Sequence, residues 1–166
     1  KKALKLANEN KNRIKSMALI HQKLYQNKSG LIDFDEYIQL LVKDLTSMYD
    51  SKNKVKTNID SKNMMFDVDT AIPLGLIINE IISNSIKYAF PNQNNGEIRI
   101  ILEEMEEKLR LTVADNGIGI DEEKINLTTD SYGMQLISIF TQQIKGEINI
   151  SGKSGTCYTI NFPLNG

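Results

Sequence analysis

The stretch IPLGLIINEIISNSIKYAF, residues 72–90, sets three polar side chains into an otherwise apolar segment. These side chains are Glu80, Asn84 and Lys87. At about 100° per residue, positions i, i+4 and i+7 of a helix lie within roughly 60° of one another, so the three share one stripe. The apolar residues around the stripe predict a helix that is buried on most sides. They are Leu74, Ile77, Ile78, Ile81, Ile82 and Ile86.

The polar stripe has two interpretations. Burial of a carboxylate, an amide or an amine is costly unless each group has a partner. In the first interpretation, Glu80 and Lys87 form an internal ion pair and Asn84 bonds to the backbone. In the second, the stripe binds a phosphorylated, metal-bound ligand. The oxygens of Glu80 and Asn84 suit Mg²⁺ and its waters, and the charge of Lys87 suits phosphate.

The composition narrows the class of protein. The 166 residues are 40% hydrophobic, enough for one well-packed domain. No run approaches the roughly 20 apolar residues of a membrane-spanning helix, and no signal peptide opens the sequence, so we expect a cytoplasmic segment without membrane contact. The balance of 20 basic and 21 acidic residues argues against a nucleic-acid partner. With one histidine and one cysteine, any metal should be a hard cation on oxygen ligands.

The first part of the sequence predicts two helices. Residues 1–26 lack Gly and Pro and place apolar side chains at helical spacing, which indicates a long amphipathic helix. Asp33 stands at the N-cap position of a second helix over residues 34–49. Glu36 occupies the capping-box position of this helix.

Two short strands and the central helix follow. Residues 54–60 and 64–68 have the composition of strands. We expect Asp69 or Thr70 to cap the central helix, and Pro73 to lie in its first turn, where a missing N–H costs nothing.

Beyond residue 96 the pattern changes to period 2. Residues 97–103 and 109–114 alternate apolar and polar side chains, which predicts a hairpin. An amphipathic helix is expected at residues 133–144 and a second hairpin at residues 147–151 and 156–162. Only helices layered over one mixed sheet bury all these faces, so the predicted fold class is α+β.

A glycine-containing loop, DNGIG, follows the strand that ends at Asp115. Gly117 and Gly119 permit backbone conformations and close ligand approach that a side chain would block. A carboxylate only accepts hydrogen bonds, so Asp115 suits an exocyclic amine such as the adenine 6-amino group. A simple turn explains the same Asp-Asn-Gly sequence, and both interpretations stay open here.

The order of the motifs is more specific than any one of them. NExxxNxxKY is followed by DNGxG, then by Ser131-Tyr132-Gly133 at a helix start, then by Gly155-Thr156 before the last strand. In this combination the sequence resembles the ATP-binding domain of two-component sensor histidine kinases. That domain belongs to a wider group with Hsp90-type chaperones, type II topoisomerases and MutL-type mismatch repair ATPases. The segments RIKSMALIHQKLY, DTAIPLGLIINE and KYAFP are similar to the subfamily whose acceptor box reads His-Arg-x-Lys-Asn-Asn.

The resemblance covers residues 11–163 and implies an architecture. It implies a two-layer α/β sandwich of the Bergerat ATP-binding type, a mixed sheet covered by three helices, preceded by a long N-terminal helix. Residues 1–28 correspond to the second helix of a dimerisation and histidine phosphotransfer hairpin, and residues 29–166 to the catalytic domain. The implied ligands are ATP or ADP with Mg²⁺. The implied protein partners are a second copy, through the dimerisation helices, and the receiver domain of a response regulator.

The resemblance also assigns roles residue by residue. Asn84 is the Mg²⁺ ligand, Lys87 contacts phosphate, and Glu80 organises Mg²⁺ and its waters. Tyr88 lies along the nucleotide, and Asp115 accepts from adenine. The glycines that shape the pocket and the threonine beside the adenine are Gly117, Gly119, Gly133 and Thr156.

The sequence departs from the family pattern in three places. Ser131 stands where the second glycine-rich motif usually begins with glycine, and the lid from Ile120 to Tyr132 is short. No His-Arg-x-Lys-Asn-Asn box is present, so we expect the phospho-acceptor upstream of Lys1. His21 matches a position after the acceptor helix, and we expect it to be structural.

Three hypotheses follow for the function. The first is a kinase domain that presents the γ-phosphate of ATP to a histidine on another helix. The second is an ATPase in which Glu80 activates water. The third is a degenerate signalling and dimerisation module that no longer binds nucleotide.

Overall fold

The computed structural model describes residues 2–26, 28–49, 55–91, 95–121, 125 and 131–164. Its α-helices are α1 Lys2–Gln26, α2 Phe34–Tyr49, α3 Val68–Asn84 and α4 Tyr132–Gln143. A π-helical turn, Ser85–Ala89, continues α3. The strands are β1 Ile32–Asp33, β2 Lys56–Asp60, β3 Met65–Phe66, β4 Glu97–Met105, β5 Lys108–Asp115, β6 Glu147–Ser151 and β7 Cys157–Pro163.

The first two helices form as their sequence patterns indicate. Helix α1 packs against α2 and α3 and buries Ile20 completely. Helix α2 begins where the backbone N–H of Glu36 donates to Asp33 Oδ1 at 3.1 Å, so the predicted cap is confirmed. Strands β1 and β3 pair with each other in a separate two-stranded sheet. Strand β1 was not predicted, because two residues are too few to show a periodicity.

Helix α3 begins four residues before the stretch that predicted it. Its N-cap is Asp67, whose carboxylate accepts from the backbone N–H of Thr70 at 2.9 Å. The expected caps, Asp69 and Thr70, are therefore wrong, and both residues lie inside the first turn. Pro73 falls beyond that turn, where its missing N–H leaves the helix one bond short. The surrounding core holds the helix in spite of this, since α3 is buried on most sides.

The main sheet has five strands in the order β2-β4-β5-β7-β6. Strand β2 is parallel to β4 and the other neighbours are antiparallel, so the sheet is mixed. A two-residue turn joins β4 to β5, with Glu106 at a φ of 52°. Alternate residues along the central strands are buried under the helices, and the other face of the sheet is more exposed. This layered α+β architecture confirms the predicted fold class.

The five strands position the candidate site at one end of the helical layer. Strand β5 ends at Asp115, whose side chain lies on the same face of the sheet as Leu111 and Val113. The helices cover this face. Helix α3 runs across that face and contacts α1, α2 and α4. Among the described residues, no helix is long and apolar enough to cross a membrane.

Candidate functional site

A cavity of about 590 Å³ opens between α1, α3, the π-helical turn, the end of β5 and the start of α4. Most of the residues that the sequence nominated line it: Glu80, Asn84, Lys87, Tyr88, Asp115, Gly119, Gly133 and Thr156. Gly117 does not line the cavity, and it packs closely against the backbone of Ala89 instead. Further lining residues that the sequence did not nominate are Asn12, Arg13, Asn79, Ser83, Ser85, Ala89, Ile118, Ile120, Ser131, Tyr132, Met134 and Tyr158. The fold thus brings motifs that are separated by up to about 75 residues to one site, together with Asn12 and Arg13 of α1.

The carboxylate of Asp115 is held in a fixed orientation at one end of the cavity. Its Oδ1 accepts from the backbone N–H groups of Gly117 at 3.0 Å and Thr156 at 3.1 Å. Its Oδ2 accepts from Ser85 Oγ at 2.8 Å. The side chain is buried, and the three donors stabilise its charge without an ion pair. One remaining lone pair on Oδ2 can accept from an amine in the cavity.

Ser85 and Tyr158 belong to this end of the cavity although the sequence analysis did not single them out. Ser85 follows Asn84 directly, but nothing in the sequence pairs it with a carboxylate thirty residues later. Burial raises the pKa of Tyr158 to about 12, and the nearby charge of Asp115 adds to the rise. The phenol therefore stays neutral and presents an apolar wall beside the carboxylate.

The π-helical turn places Lys87 and Tyr88 on the cavity wall. The i→i+5 bonding makes the turn after Asn84 wider than a turn of α-helix. The side chains that face the cavity therefore differ from those that a continued α-helix would present. Lys87 is half-buried and Tyr88 is 56% exposed at the mouth. The stripe predicted from a uniform helix is thus made of two helix types, and such π-turns recur at functional sites.

Two glycines of the DNGIG loop have steric reasons to be glycine. A Cβ on Gly117 would lie 2.3 Å from the backbone oxygen of Ala89, which accepts from the N–H of Ile118 at 3.0 Å. Gly119 has a φ of +76°, and a Cβ there would lie 2.3 Å from the backbone oxygen of Gly152. The loop is therefore clamped between the π-helical turn and the β6–β7 connection.

The opposite end of the cavity carries an ion pair that the sequence did not predict. Arg13 of α1 binds both carboxylate oxygens of Glu80, with Nε at 2.5 Å from Oε1 and Nη2 at 3.0 Å from Oε2. The Asn79 side-chain amide also donates to Glu80 Oε1 at 3.3 Å. The interpretation of the stripe as an internal Glu80–Lys87 pair is corrected, because the partner of Glu80 comes from another helix.

Helix α4 begins against this ion pair. Ser131 is its N-cap, and its Oγ accepts from the backbone N–H of Met134 at 3.3 Å. The departure from glycine at residue 131 therefore gives the helix a defined start. A Cβ on Gly133 would lie 3.3 Å from Glu80 Oε2 and 3.6 Å from Asn84 Nδ2, so the helix start rests directly on these two side chains.

Two expectations fall on other parts of the chain. Most of the lid between Ile120 and Tyr132 lies outside the described residues. His21 is exposed on α1 and is not among the residues that line the cavity.

The donor atoms around Glu80 and Asn84 fit a hard cation bound together with phosphate. Asn84 offers an amide oxygen, and Mg²⁺ typically takes one or two protein oxygens and completes its shell with phosphate oxygens and waters. Within the described ranges, no group of three or more His, Cys, Asp and Glu side chains could hold a metal unaided.

Comparison with known families assigns both parts of the chain. Residues 69–166 match the family described as histidine kinase-, DNA gyrase B- and HSP90-like ATPase. Residues 1–49, which contain α1 and α2, match a second family described as histidine kinase. The first match includes every residue that lines the cavity except Asn12 and Arg13, which belong to α1.

Individual relatives agree with this assignment. The chain is 29% identical over 117 residues to blue-light-activated histidine kinase 2 of Erythrobacter litoralis, covering 69% of this chain and 34% of the relative. It is 24% identical over 160 residues to the sensor histidine kinase PdtaS of Mycobacterium tuberculosis, covering 94% and 32%. The chain thus spans about a third of these relatives.

Solved structures give the same fold. The histidine kinase domain of an Erythrobacter litoralis blue-light activated histidine kinase superposes with a TM-score of 0.84 at 23% identity, covering 94% of this chain and 75% of that one. The mycobacterial sensor histidine kinase MprB gives a TM-score of 0.66 at 14% identity, covering 80% of this chain and 97% of that one. The chain belongs to the histidine kinase-, DNA gyrase B- and HSP90-like ATPase family, as an ATP-binding domain of the sensor histidine kinase type.

Proposed function

We propose that this domain binds ATP with Mg²⁺ and presents the γ-phosphate to a histidine on a helix upstream of α1. The observation that carries the proposal is that two kinds of group line one cavity. A fixed, buried carboxylate, Asp115, lines it together with Asn84 and Lys87. An adenine nucleotide has the matching chemistry, an exocyclic amine at one end and phosphates at the other.

The residues that the sequence analysis proposed for the site, apart from Glu80, then have the following roles. Asp115 accepts from the adenine amine, and Thr156 fixes that carboxylate through its backbone N–H. Lys87 contacts phosphate, and Asn84 holds Mg²⁺, which supplies neutralisation of the triphosphate charge when it is bound. Tyr88 covers the nucleotide at the mouth. The two DNGIG glycines, Gly117 and Gly119, keep the loop that carries Asp115 in its clamped conformation, and Gly133 keeps the start of α4 close to Asn84.

In this transfer the residues of the domain act by positioning the triphosphate, and none of them forms a covalent intermediate. The residues orient the triphosphate so that an imidazole nitrogen can approach the γ-phosphorus in line with the bond that breaks. We further propose that residues 1–28 complete a dimerisation hairpin in a homodimeric parent protein. The phosphoryl group then passes to an aspartate of a response regulator. A cytoplasmic location goes with this proposal, because the reaction consumes ATP.

Titration calorimetry with ATP, with and without Mg²⁺, tests the proposal. Asp115→Asn should weaken ATP and ADP by about 1 to 3 kcal/mol, because a donor partly replaces an acceptor in the cavity. Asp60→Asn is a matched control, since Asp60 is exposed on the edge strand β2 and does not line the cavity. Absence of ATP binding by the unaltered chain would contradict the proposed function. It would favour the degenerate signalling module.

A further inference from the structure

Glu80 is held in a way that conflicts with one use of a carboxylate in this position. It is 5% exposed, lines the cavity and lies one helical turn from Asn84, so a bound triphosphate would bring a water close to it. A buried carboxylate beside a γ-phosphate is a candidate general base for hydrolysis. Its two oxygens, however, are already engaged by groups of the protein.

These hydrogen bonds leave few positions on the carboxylate for a water in the cavity. Oε1 accepts from Arg13 Nε and from Asn79 Nδ2, which uses both of its lone pairs. Oε2 accepts from Arg13 Nη2 and faces the start of α4, where the missing side chain of Gly133 leaves only a narrow gap. Three of the four lone-pair positions of Glu80 are therefore occupied, and only one, on Oε2, is left for a water at the γ-phosphate.

Arg13 is itself fixed by groups on three elements. Besides Glu80 on α3, it donates through Nη1 to Asn10 Oδ1 at 2.8 Å within α1. Its guanidinium lies 5.0 Å from the centre of the Tyr132 ring, at the first residue of α4. Helix α1 reaches Glu80 by a second route as well, since Ser16 Oγ bonds to Asn79 Oδ1 at 3.3 Å and so orients the Asn79 amide. The hydrogen bonds that fix Glu80 therefore require α1 to be packed against α3.

We propose that Arg13 is a positioning residue that suppresses ATP hydrolysis by sequestering Glu80, and so reserves the γ-phosphate for the histidine. This inference rests on the proposed function, because it assumes that ATP occupies the cavity. Hydrolysis needs the water oxygen to attack the γ-phosphorus while a base takes the water proton. The bond to the bridging oxygen breaks, and its electron pair leaves with ADP.

Transfer to histidine does not need that base. The unprotonated nitrogen of a neutral imidazole attacks with its own lone pair, and the bond to the bridging oxygen again breaks toward ADP. The phosphorylated ring then loses the proton of its other nitrogen to solvent. Occupation of Glu80 by Arg13 therefore hinders the reaction with water and leaves the reaction with histidine open.

The test is release of inorganic phosphate by the full chain at saturating ATP and Mg²⁺. Arg13→Gln should raise the maximal rate on the order of tenfold or more, because it frees a general base. Arg13→Lys keeps the charge but not the two-pronged bond and should raise the rate less. Lys15→Gln is the matched control, since it removes the same charge from an exposed position on α1 and should leave the rate unchanged.

The double variant Arg13→Gln/Glu80→Gln separates this proposal from a general loosening of the site. Its rate should return to that of the unaltered chain, because the freed base is gone. The proposal is wrong if Arg13→Gln does not raise the rate in a chain that binds ATP, or if the increase persists in the double variant. If Arg13→Gln does not fold, as judged by thermal melting, Arg13→Lys with and without Glu80→Gln decides by the same criteria. Failure of the unaltered chain to bind ATP would instead overturn the proposed function.

Discussion

The two ends of the cavity are built in different ways. At the Asp115 end, backbone N–H groups and a neighbouring hydroxyl hold the carboxylate, and all belong to the sheet, its loops and the π-helical turn. At the Glu80 end, long side chains from α1 and α3 hold each other, against the first turn of α4. Backbone groups of a sheet move little, whereas a side-chain ion pair between helices can separate without unfolding the domain. The difference makes the Asp115 end fixed and the Glu80 end adjustable.

The largest effect should come from breaking the backbone clamp at the Asp115 end. Gly155 has a φ of +81°, and a Cβ there would lie 1.8 Å from the backbone oxygen of Asp115. Gly155→Ala should lower the free energy of unfolding by about 3 kcal/mol or more, because the clash adds to the cost of a positive φ. Urea denaturation measures this.

Gly30 provides the control for that experiment. It has a φ of +71°, but a Cβ there would have no other atom within 4 Å. Gly30→Ala should therefore cost only about 1 kcal/mol, the backbone contribution alone. Equal losses for the two variants would show that the clamp is not rigid.

The next largest effect should come from alkaline pH, which should lower the free energy of unfolding through Tyr158 at the same end of the cavity. The pKa of Tyr158 is raised to about 12 from 10.0, so between these values the unfolded chain loses the phenolic proton and the folded chain keeps it. Stability should be at its full value below pH 10 and should fall as the pH rises toward 12, by up to about 2 kcal/mol. Unfolding of Tyr158→Phe over this range should show a smaller slope. The remaining slope includes Tyr37, whose pKa is also raised by burial.

A smaller effect is expected at the Glu80 end from loss of the amide of Asn84. Asn84→Ala should remove the strengthening of ATP binding by Mg²⁺, on the order of tenfold or about 1.4 kcal/mol, while ADP binding without metal persists. Calorimetric titrations at matched ionic strength measure both. Asn149→Ala, at an exposed position on β6, is the control. If Asn84→Ala unfolds the domain, the residue is structural and its assignment to Mg²⁺ fails.

The smallest effect should come from Ser85→Ala at the Asp115 end. The variant removes the bond from Ser85 Oγ to Asp115 Oδ2, and ADP affinity should fall by about 1 kcal/mol because the carboxylate becomes less fixed. The two backbone donors still hold Oδ1, which limits the loss. Ser138→Ala, at an exposed position on α4, should leave ADP affinity unchanged. A loss as large as that of Asp115→Asn would mean that Ser85 contacts the nucleotide itself.

Local sequence signals were sufficient for most of the fold. The second helix, both hairpins and the helix after residue 131 lie within one or two residues of their predicted bounds. The errors occur where a tertiary contact overrides a local preference. Helix α3 is capped by Asp67 and not by Asp69 or Thr70, so Pro73 lies beyond its first turn, where the buried core supports the helix in spite of the missing N–H. Strand β1 exists only because β3 pairs with it.

The sequence by itself determined the residue types of the site and their order along the chain. Asn84 and Lys87 could be proposed from the helical repeat, Asp115 from the glycine loop that follows it, and Gly133 from the resemblance to a known family. Only the tertiary structure decided which groups engage them. Ser85 reaches Asp115, and Arg13 reaches Glu80 across 67 residues, through contacts that no local pattern encodes. The physical reason is that such partners are selected by proximity in the folded core, where a buried charge must find a donor from whichever element packs beside it.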